Sequence, residues 1–471
     1  MVRAEPTIAE QSKLTASDAV AEDRMGNSVD IDGDIAVVGA YRHDGAGGPN
    51  DGAAYDFERD GASWGQTAIL TASDASADDE FGWVAIDGDV IVVGAPGYDG
   101  AAGVDQGIAY VYVKPPGGWT DMTETAVLLP TDIAADYRFG SVVAVWGDAI
   151  VVGAFGFDGP AGTNQGTAHV FVEPPGGWTN MAQTATLWPS ITENQGWFGF
   201  HVDIEQDTIV VTASNEDGAT LNEGAAYVYV KPPGGWGSTI EDARLTAGDA
   251  ASGDNFGRWA SIDGDAVCIG AYRADSGLLN SDRGAAYVFE RPVTGWAHAT
   301  HTAKLTASDP AVSDQLGICT ALSGDFAVVG AYLDDEFAGV DQGSAYVYVR
   351  PDGGWVNATE TLKLTASDAS AQAHFAQAAA VDGGTLLLGA RHDPGPAGIE
   401  QGAGYIYTLC RCAGDVDLDR AYDGGDAQAF IQCVIDGGAA CACADMDGSG
   451  AADPTDTSAF VQRLLLAPPC P

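Results

Sequence analysis

Apolar and polar positions along this chain fall into short blocks with a strand-like period, separated by Gly, Pro and Asp. The copy between residues 70 and 113 is the clearest. Phe81-Gly82 opens a segment running to Asp87, and Gly88-Asp89 reads as a tight hairpin turn. Residues 89–95 follow, whose Val-Ile-Val-Val run is apolar on both faces, as in a fully buried strand. A longer loop leads to a third strand at 108–113. Pro115-Pro116-Gly117-Gly118 then turns the chain into a fourth strand, which ends where the phrase begins again.

The phrase restarts at Leu14, Leu70, Leu128, Leu187, Leu245, Leu305 and Leu364, at spacings of 56, 58, 59, 58, 60 and 59 residues. A fixed period of this kind marks one supersecondary unit copied, each copy burying its apolar face against its neighbours. Four antiparallel strands in each of seven units predict an all-β fold, a seven-bladed β-propeller spanning residues 1–409. The seventh copy stops after its third strand at 404–408. An orphan segment, Thr7-Ile8-Ala9-Glu10 running into Leu14, resembles Thr239-Ile240-Glu241-Asp242 before Leu245. The N-terminal strand is therefore expected to complete blade seven and close the ring, removing exposed edges.

The paired motifs Phe81-Gly82 and Gly94-Ala95-Pro96 resemble those of the FG-GAP repeat family, the propeller units of integrin α-chain heads and many bacterial surface proteins. The resemblance covers about 14–409 and implies a propeller used for binding or adhesion. Integrin-type repeats carry an Asp-rich calcium loop between the FG and GA strands. Here turns such as Asp32-Gly33-Asp34 and Asp87-Gly88-Asp89 are too short for it.

Charge narrows the partners. Against 67 Asp+Glu stand only 20 Lys+Arg, a formal charge of -47. Nucleic acid is excluded, because phosphate binding needs a basic footprint. Such an excess suits a solvated surface, a salty medium or cation binding. No run of 18 apolar residues exists, so no membrane span is expected. The first residues contain no apolar signal core, so either export is absent or the chain starts after a cleavage point. Six of the eight cysteines lie between Cys410 and Cys470, which favours an oxidising compartment and the second case.

Three sets of residues are expected on one face. Asp44, Asp99, Asp158, Asp217, Asp275 and Asp335 follow the GA motif, and Asn50, Asp105, Asn164, Asn222, Asp282, Asp341 and Glu400 precede the third strand. Asp18, Asp74, Asp132, Asp249, Asp309 and Asp368 lie in the crossovers, with Ile191 breaking the series in repeat four. Turn structure through side-chain-to-backbone bonds and divalent-cation binding both fit them. Trp64, Trp119, Trp178, Trp236, Trp296 and Trp355 follow the opposite turns, as wedges between blades or as sugar-stacking platforms. No catalytic residue is assigned. Repeat four, with Gln206-Asp207 and Thr212-Ala213, is the most divergent copy, where an active site would be sought first.

After Thr408 the pattern changes. Asp415, Asp417, Asp419, Asp423 and Asp426 occupy positions 1, 3, 5, 9 and 12 of a calcium loop, with the Ala421 carbonyl at 7. Asp445, Asp447, Ser449, Ala451, Asp453 and Asp456 repeat the spacing. Phe430, Ile431 and Val434, then Phe460, Val461, Leu464 and Leu465, follow at helical spacing. Asp replaces Glu at position 12 and no helix precedes either loop. The pair resembles a dockerin-type module, a small α-helical Ca²⁺-binding unit over 410–471. The resemblance implies two bound Ca²⁺ and a cohesin-like or cell-surface partner. Cys410, Cys412, Cys433, Cys441, Cys443 and Cys470 suit three disulfides, with zinc as the competitor. Cys268 and Cys319 replace apolar strand positions and are expected as buried free thiols.

The expected function is a secreted or cell-surface, non-enzymatic binding, adhesion or assembly protein. The propeller would take a protein or glycan ligand or another copy of itself, and the tail would anchor it. The alternative is a carbohydrate-active enzyme, a glycoside hydrolase or lyase, on a propeller scaffold. A deep central pocket with paired carboxylates from a divergent blade would favour the enzyme.

Overall fold

The computed structural model describes residues 10–61, 63–275, 281–336 and 338–409, together with Ala427, Phe430, Ile431, Pro454, Asp456, Thr457, Phe460 and Val461. Seven antiparallel-dominated sheets form the blades of a propeller. In blade two the strands run Trp83–Asp87, Val90–Ala95, Ile108–Val113 and Ala126–Leu128, counted outward from the central channel. The second strand is buried over nearly its whole length because a strand pairs on each side of it and a blade packs on each face.

Four of the sheets carry a fifth strand. Met122–Thr123 pairs in parallel with Leu70-Thr71 of the preceding blade before the chain joins its own blade at Ala126. Thr239–Ile240, Ala299–Thr300 and Ala358–Thr359 do the same. Two residues are too short a segment to leave a period in the sequence, so only four strands were expected there.

Blade seven is made from both ends of the propeller. Glu10–Leu14 pairs antiparallel with Ala403–Thr408, with Leu14 opposite Gly404 and Lys13 opposite Tyr405. The strand reproduces the contacts of its counterparts. Glu10 accepts the Ser367 amide at 2.9 Å, as Glu124, Glu241 and Glu360 accept those of Ser73, Ser190 and Ser308. Thr7-Ile8 lies outside the described residues.

Each hydrophobic cluster belongs to a junction rather than to a blade. Val37, Ala54 and Leu70 of blade one pack with Phe81, Ile91 and Tyr110 of blade two and with Trp119. Trp178, Trp236 and Trp355 fill equivalent places at other junctions, and all four are less than 8% exposed. Wedging between blades is therefore what most of the repeated tryptophans do.

The two halves of the FG-GAP phrase meet across each junction. A Cβ added to Gly94 would lie 1.9 Å from the carbonyl oxygen of Gly140 in the next blade, and one on Gly39 would lie 1.8 Å from that of Gly82. The glycines let neighbouring backbones touch. Blade four has Thr212 instead, whose hydroxyl accepts the His201 amide at 3.0 Å.

Cys268 and Cys319 are buried free thiols. In the tail, the Phe430 and Phe460 rings stack with centroids 4.0 Å apart, and Asp456 is fully buried. The remaining calcium-loop residues, from Asp415 to Asp453, and the six tail cysteines lie outside the described residues, as does a helical fold for the module. Among the described residues, no helix is long and apolar enough to cross a membrane.

Candidate functional site

The loop face is built from Asp and Asn side chains that tie backbone. Asp44, Asp99, Asp158 and Asp335 each accept one amide six residues later, from Asn50, Asp105, Asn164 and Asp341, at 2.8–2.9 Å. Those four donors have φ between 49° and 55°, a left-handed conformation that Asn and Asp tolerate better than other side chains. In these four blades the two sets of loop residues thus close one loop of the same form by a side-chain-to-backbone bond.

The crossover acids serve a different purpose. Asp74, Asp309 and Asp368 accept the hydroxyls of Tyr110, Tyr346 and Tyr405 on third strands, at 2.7–3.0 Å. Where blade four has Ile191, Tyr227 donates to Glu216, which also pairs with Arg244. Lys363 joins Asp309, Asp334 and Glu336 above the Tyr346 ring. Burial opposes its charge, but those carboxylates outweigh it and hold the ammonium above its ordinary pKa. Among the described residues, no group of three or more His, Cys, Asp or Glu side chains is placed to hold a metal ion.

A cavity of about 550 Å³ runs down the propeller axis, lined by the innermost strand of every blade. Its two mouths differ. At the hairpin mouth six of the seven strands end in a group that accepts the turn amide of the next blade. Asp32 takes Gly88, Asp87 takes Gly147, Asp263 takes Gly324 and Asp382 takes Gly33, at 2.6–2.7 Å. Glu205 takes Gly264, and Ser323 takes Gly383 at 3.0 Å. Six of the seven junctions are stapled in this way. The seventh, from Trp146 to Gln206, carries no such bond, because an indole replaces the carboxylate.

Deeper in the channel, Asp30 accepts the amides of Ile31 and Ile86, and Asp203 those of Ile204 and Ile262, at 2.8–2.9 Å. Burial pushes both carboxyls up to about 7, against the pull of their amide donors. The Asp30 charge adds to the rise at Asp203.

The loop-side mouth has different chemistry. Trp83, Phe155, Phe200, Arg258 and Trp259, each just after an FG or GA motif, line it. Trp197 and Phe200 stack at 5.6 Å with an interplanar angle of 14°, and the Arg258 guanidinium carbon lies 5.0 Å from the Phe200 ring centre. His201 packs on Trp259 at 4.1 Å and His374 on His392 at 4.3 Å. Burial holds His201 and His374 at about 3 and His392 at about 4, with neighbouring arginine charge adding to the effect.

Sequence reasoning missed this mouth. The position after the FG glycine reads Asn27, Trp83, Ser141, Phe200, Arg258, Ile318 and Gln377 around the ring. It is a place where the repeats disagree, so self-similarity hides it. Comparing the copies for their differences would have found it.

The chain matches the FG-GAP repeat seven times, over residues 8–57, 64–112, 122–171, 181–229, 239–289, 299–348 and 358–407. No curated protein matches it. Seven matches cover well over half of the sequence, and the chain belongs to the FG-GAP repeat family.

Proposed function

We propose that this propeller is a non-enzymatic, exported binding platform that takes a protein or glycan ligand over its loop-side mouth. The observation that carries the reading is the contrast between the two ends of the channel. One mouth is stapled by carboxylate–amide bonds. The other presents half-buried aromatic rings and arginines, the residue types that anchor partners at interfaces. A propeller of this family suits such a role, and adhesion or surface assembly follows if the ligand is itself on a surface.

The tail completes the proposal. Two oxygen-rich loops with calcium spacing, each followed by an apolar segment, support a dockerin-like anchor loaded with two Ca²⁺. The stacking of Phe430 on Phe460, which follow the two loops at equivalent places, favours two such segments packed together. A cohesin-like or cell-surface partner would be its receptor.

The test uses the full chain on glycan and extracellular-protein arrays, in Ca²⁺ and in chelator. Binding that disappears in Trp83→Ala/Phe200→Ala supports the mouth as platform. Binding unchanged in that variant defeats it.

A second reading rests on Asp30 and Asp203, two protonatable carboxyls in a deep central channel, one of them from divergent blade four. A glycoside hydrolase would need such a pair. All four oxygens already accept backbone amides, which favours a structural role. Polysaccharide cleavage abolished by Asp203→Asn would reverse that preference.

A further inference from the structure

The loop-side mouth holds an uncompensated positive charge in a chain of formal charge -47. Two of its arginines are neutralised: Arg24 pairs with Glu400 at 2.6 Å, and Arg138 with Glu80 at 3.2 Å and Asp105 at 3.0 Å. Arg258 differs. Among the described residues it makes neither an ion pair nor a hydrogen bond, although it lines the channel. Its neighbours are the faces of Phe200 and Tyr272, at 5.0 and 5.9 Å. Ring faces attract a guanidinium but leave its charge and its N–H donors unanswered. Arg391, the next cation along the mouth, buries its Nε without a partner. Burial lowers the pKa of both arginines, and the charge of Arg391 adds to the effect at Arg258.

The planar fork of donors fits a carboxylate in two parallel hydrogen bonds. Trp83, Phe155 and Phe200, also lining this end of the cavity, offer flat apolar walls beside it. Around the mouth stand the acidic loops. A polyanion would meet repulsion there before reaching Arg258, whereas one charge on an otherwise neutral body would not.

We propose that Arg258 is the anion-recognition residue for a single carboxylate carried on a ring. The ligand enters from the loop face and stacks its ring against Trp83, Phe155 or Phe200. This deepens the platform reading and rests on it. A terminal hexuronate on a neutral glycan and a free aromatic acid share the chemistry, and the probes separate them.

The experiment titrates the full chain with D-glucuronate and benzoate, and with glucose and benzyl alcohol as neutral counterparts, following tryptophan fluorescence and heat. At least one carboxylate should bind about tenfold or more tighter than its neutral counterpart, a difference of about 1.4 kcal/mol. Glucuronate ahead of benzoate identifies the sugar source, and the reverse order identifies the aromatic acid. Arg258→Gln should lose at least about tenfold in affinity while melting no lower than the wild type, since it removes a buried unpaired charge. Should that variant not fold, Arg258→Lys carries the test, with an expected loss of about fivefold from breaking the fork. Equal binding of neutral and charged probes, an Arg258 variant that binds as the wild type does, or no carboxylate binding at all overturns the proposal. Array binding that persists without carboxylate binding removes this inference alone. Carboxylate binding with silent arrays removes the platform reading alone.

Discussion

Lys13 Nζ lies 2.8 Å from Asp393 Oδ1, joining the strand that closes the ring to a loop of the blade it completes. The same ammonium reaches Asp368 at 2.7 Å and sits 5.0 Å from the centre of the Tyr405 ring. It occupies the place that Lys363 holds over Tyr346 and Lys304 over Tyr287. Asp393 is only 2% exposed and also accepts the Tyr405 hydroxyl at 2.7 Å. Lys13→Ala should cost about 1–3 kcal/mol, less than a fully buried pair because the ammonium is partly solvated. Thermal melting checks this, and an unchanged midpoint would show the closure to be held by backbone pairing alone.

The channel carboxylates give a pH signature. A carboxyl held at about 7 in the folded protein and near 3.8 unfolded binds more protons when folded between those values. Its contribution to stability is therefore intact below pH 4, declines as pH rises through 4–7, and is fully lost above 7. Asp203→Asn cannot ionise. Its stability relative to wild type should rise across that window and level off above it. A difference independent of pH from 4 to 8 would remove the raised pKa.

His201, His374 and His392 work in the opposite direction. Their folded values of about 3–4 lie below the ordinary 6.5, so their stability is present above pH 6.5 and lost as pH falls towards 4. His374→Gln should narrow the acid-induced loss of stability between pH 6.5 and 4. Melts over that range read the change directly.

Backbone contact between blades predicts a graded response to methyl groups. Gly94→Ala forces a Cβ against the Gly140 carbonyl and should cost about 3 kcal/mol or more. Gly117 has nothing within 4 Å of the same added atom, and its substitution should stay within about 0.5 kcal/mol. Denaturant midpoints of the two variants compare them, and similar values would count against tight junctions.

The hairpin-mouth staples predict a gain as well as losses. Asp263→Ala should cost about 1 kcal/mol by leaving the Gly324 amide without its acceptor. Trp146→Asp supplies the acceptor that the third junction lacks and should raise the melting temperature by about 2 °C. A lower one would mean that the indole contributes more than the bond it displaces.

Repetition decided what the sequence could disclose. The phrase from Phe81 to Tyr112 recurs seven times, so the blade number, the order of strands within a copy and the buried second strand are legible in it. The Asp44–Asn50 turn was visible as a pattern, but its purpose needed geometry, because carboxylates at that spacing suit a backbone turn and a cation equally. Trp83, Phe200 and Arg258 share one repeat position with Ser141 and Gln377, and no periodicity links such unlike residues. Arg258 also becomes notable only once its missing partner is seen. The Met122–Thr123 strand was hidden because it belongs to one blade by sequence and to its neighbour by pairing.

The pairing of Leu14 with Gly404 also sets a timetable. The two residues are 390 positions apart in the chain. At about 5–20 residues per second of synthesis, roughly 20–80 s separate their emergence. Throughout that interval Glu10–Leu14 is a strand without a sheet, and blade one shows the flank that blade seven will cover. The first strand of the propeller is among the last to be used, so the growing chain can stack blades long before it can seal them. Moving the termini to the open turn at Gly117 would transfer that wait to blade two and leave blade seven built from continuous chain.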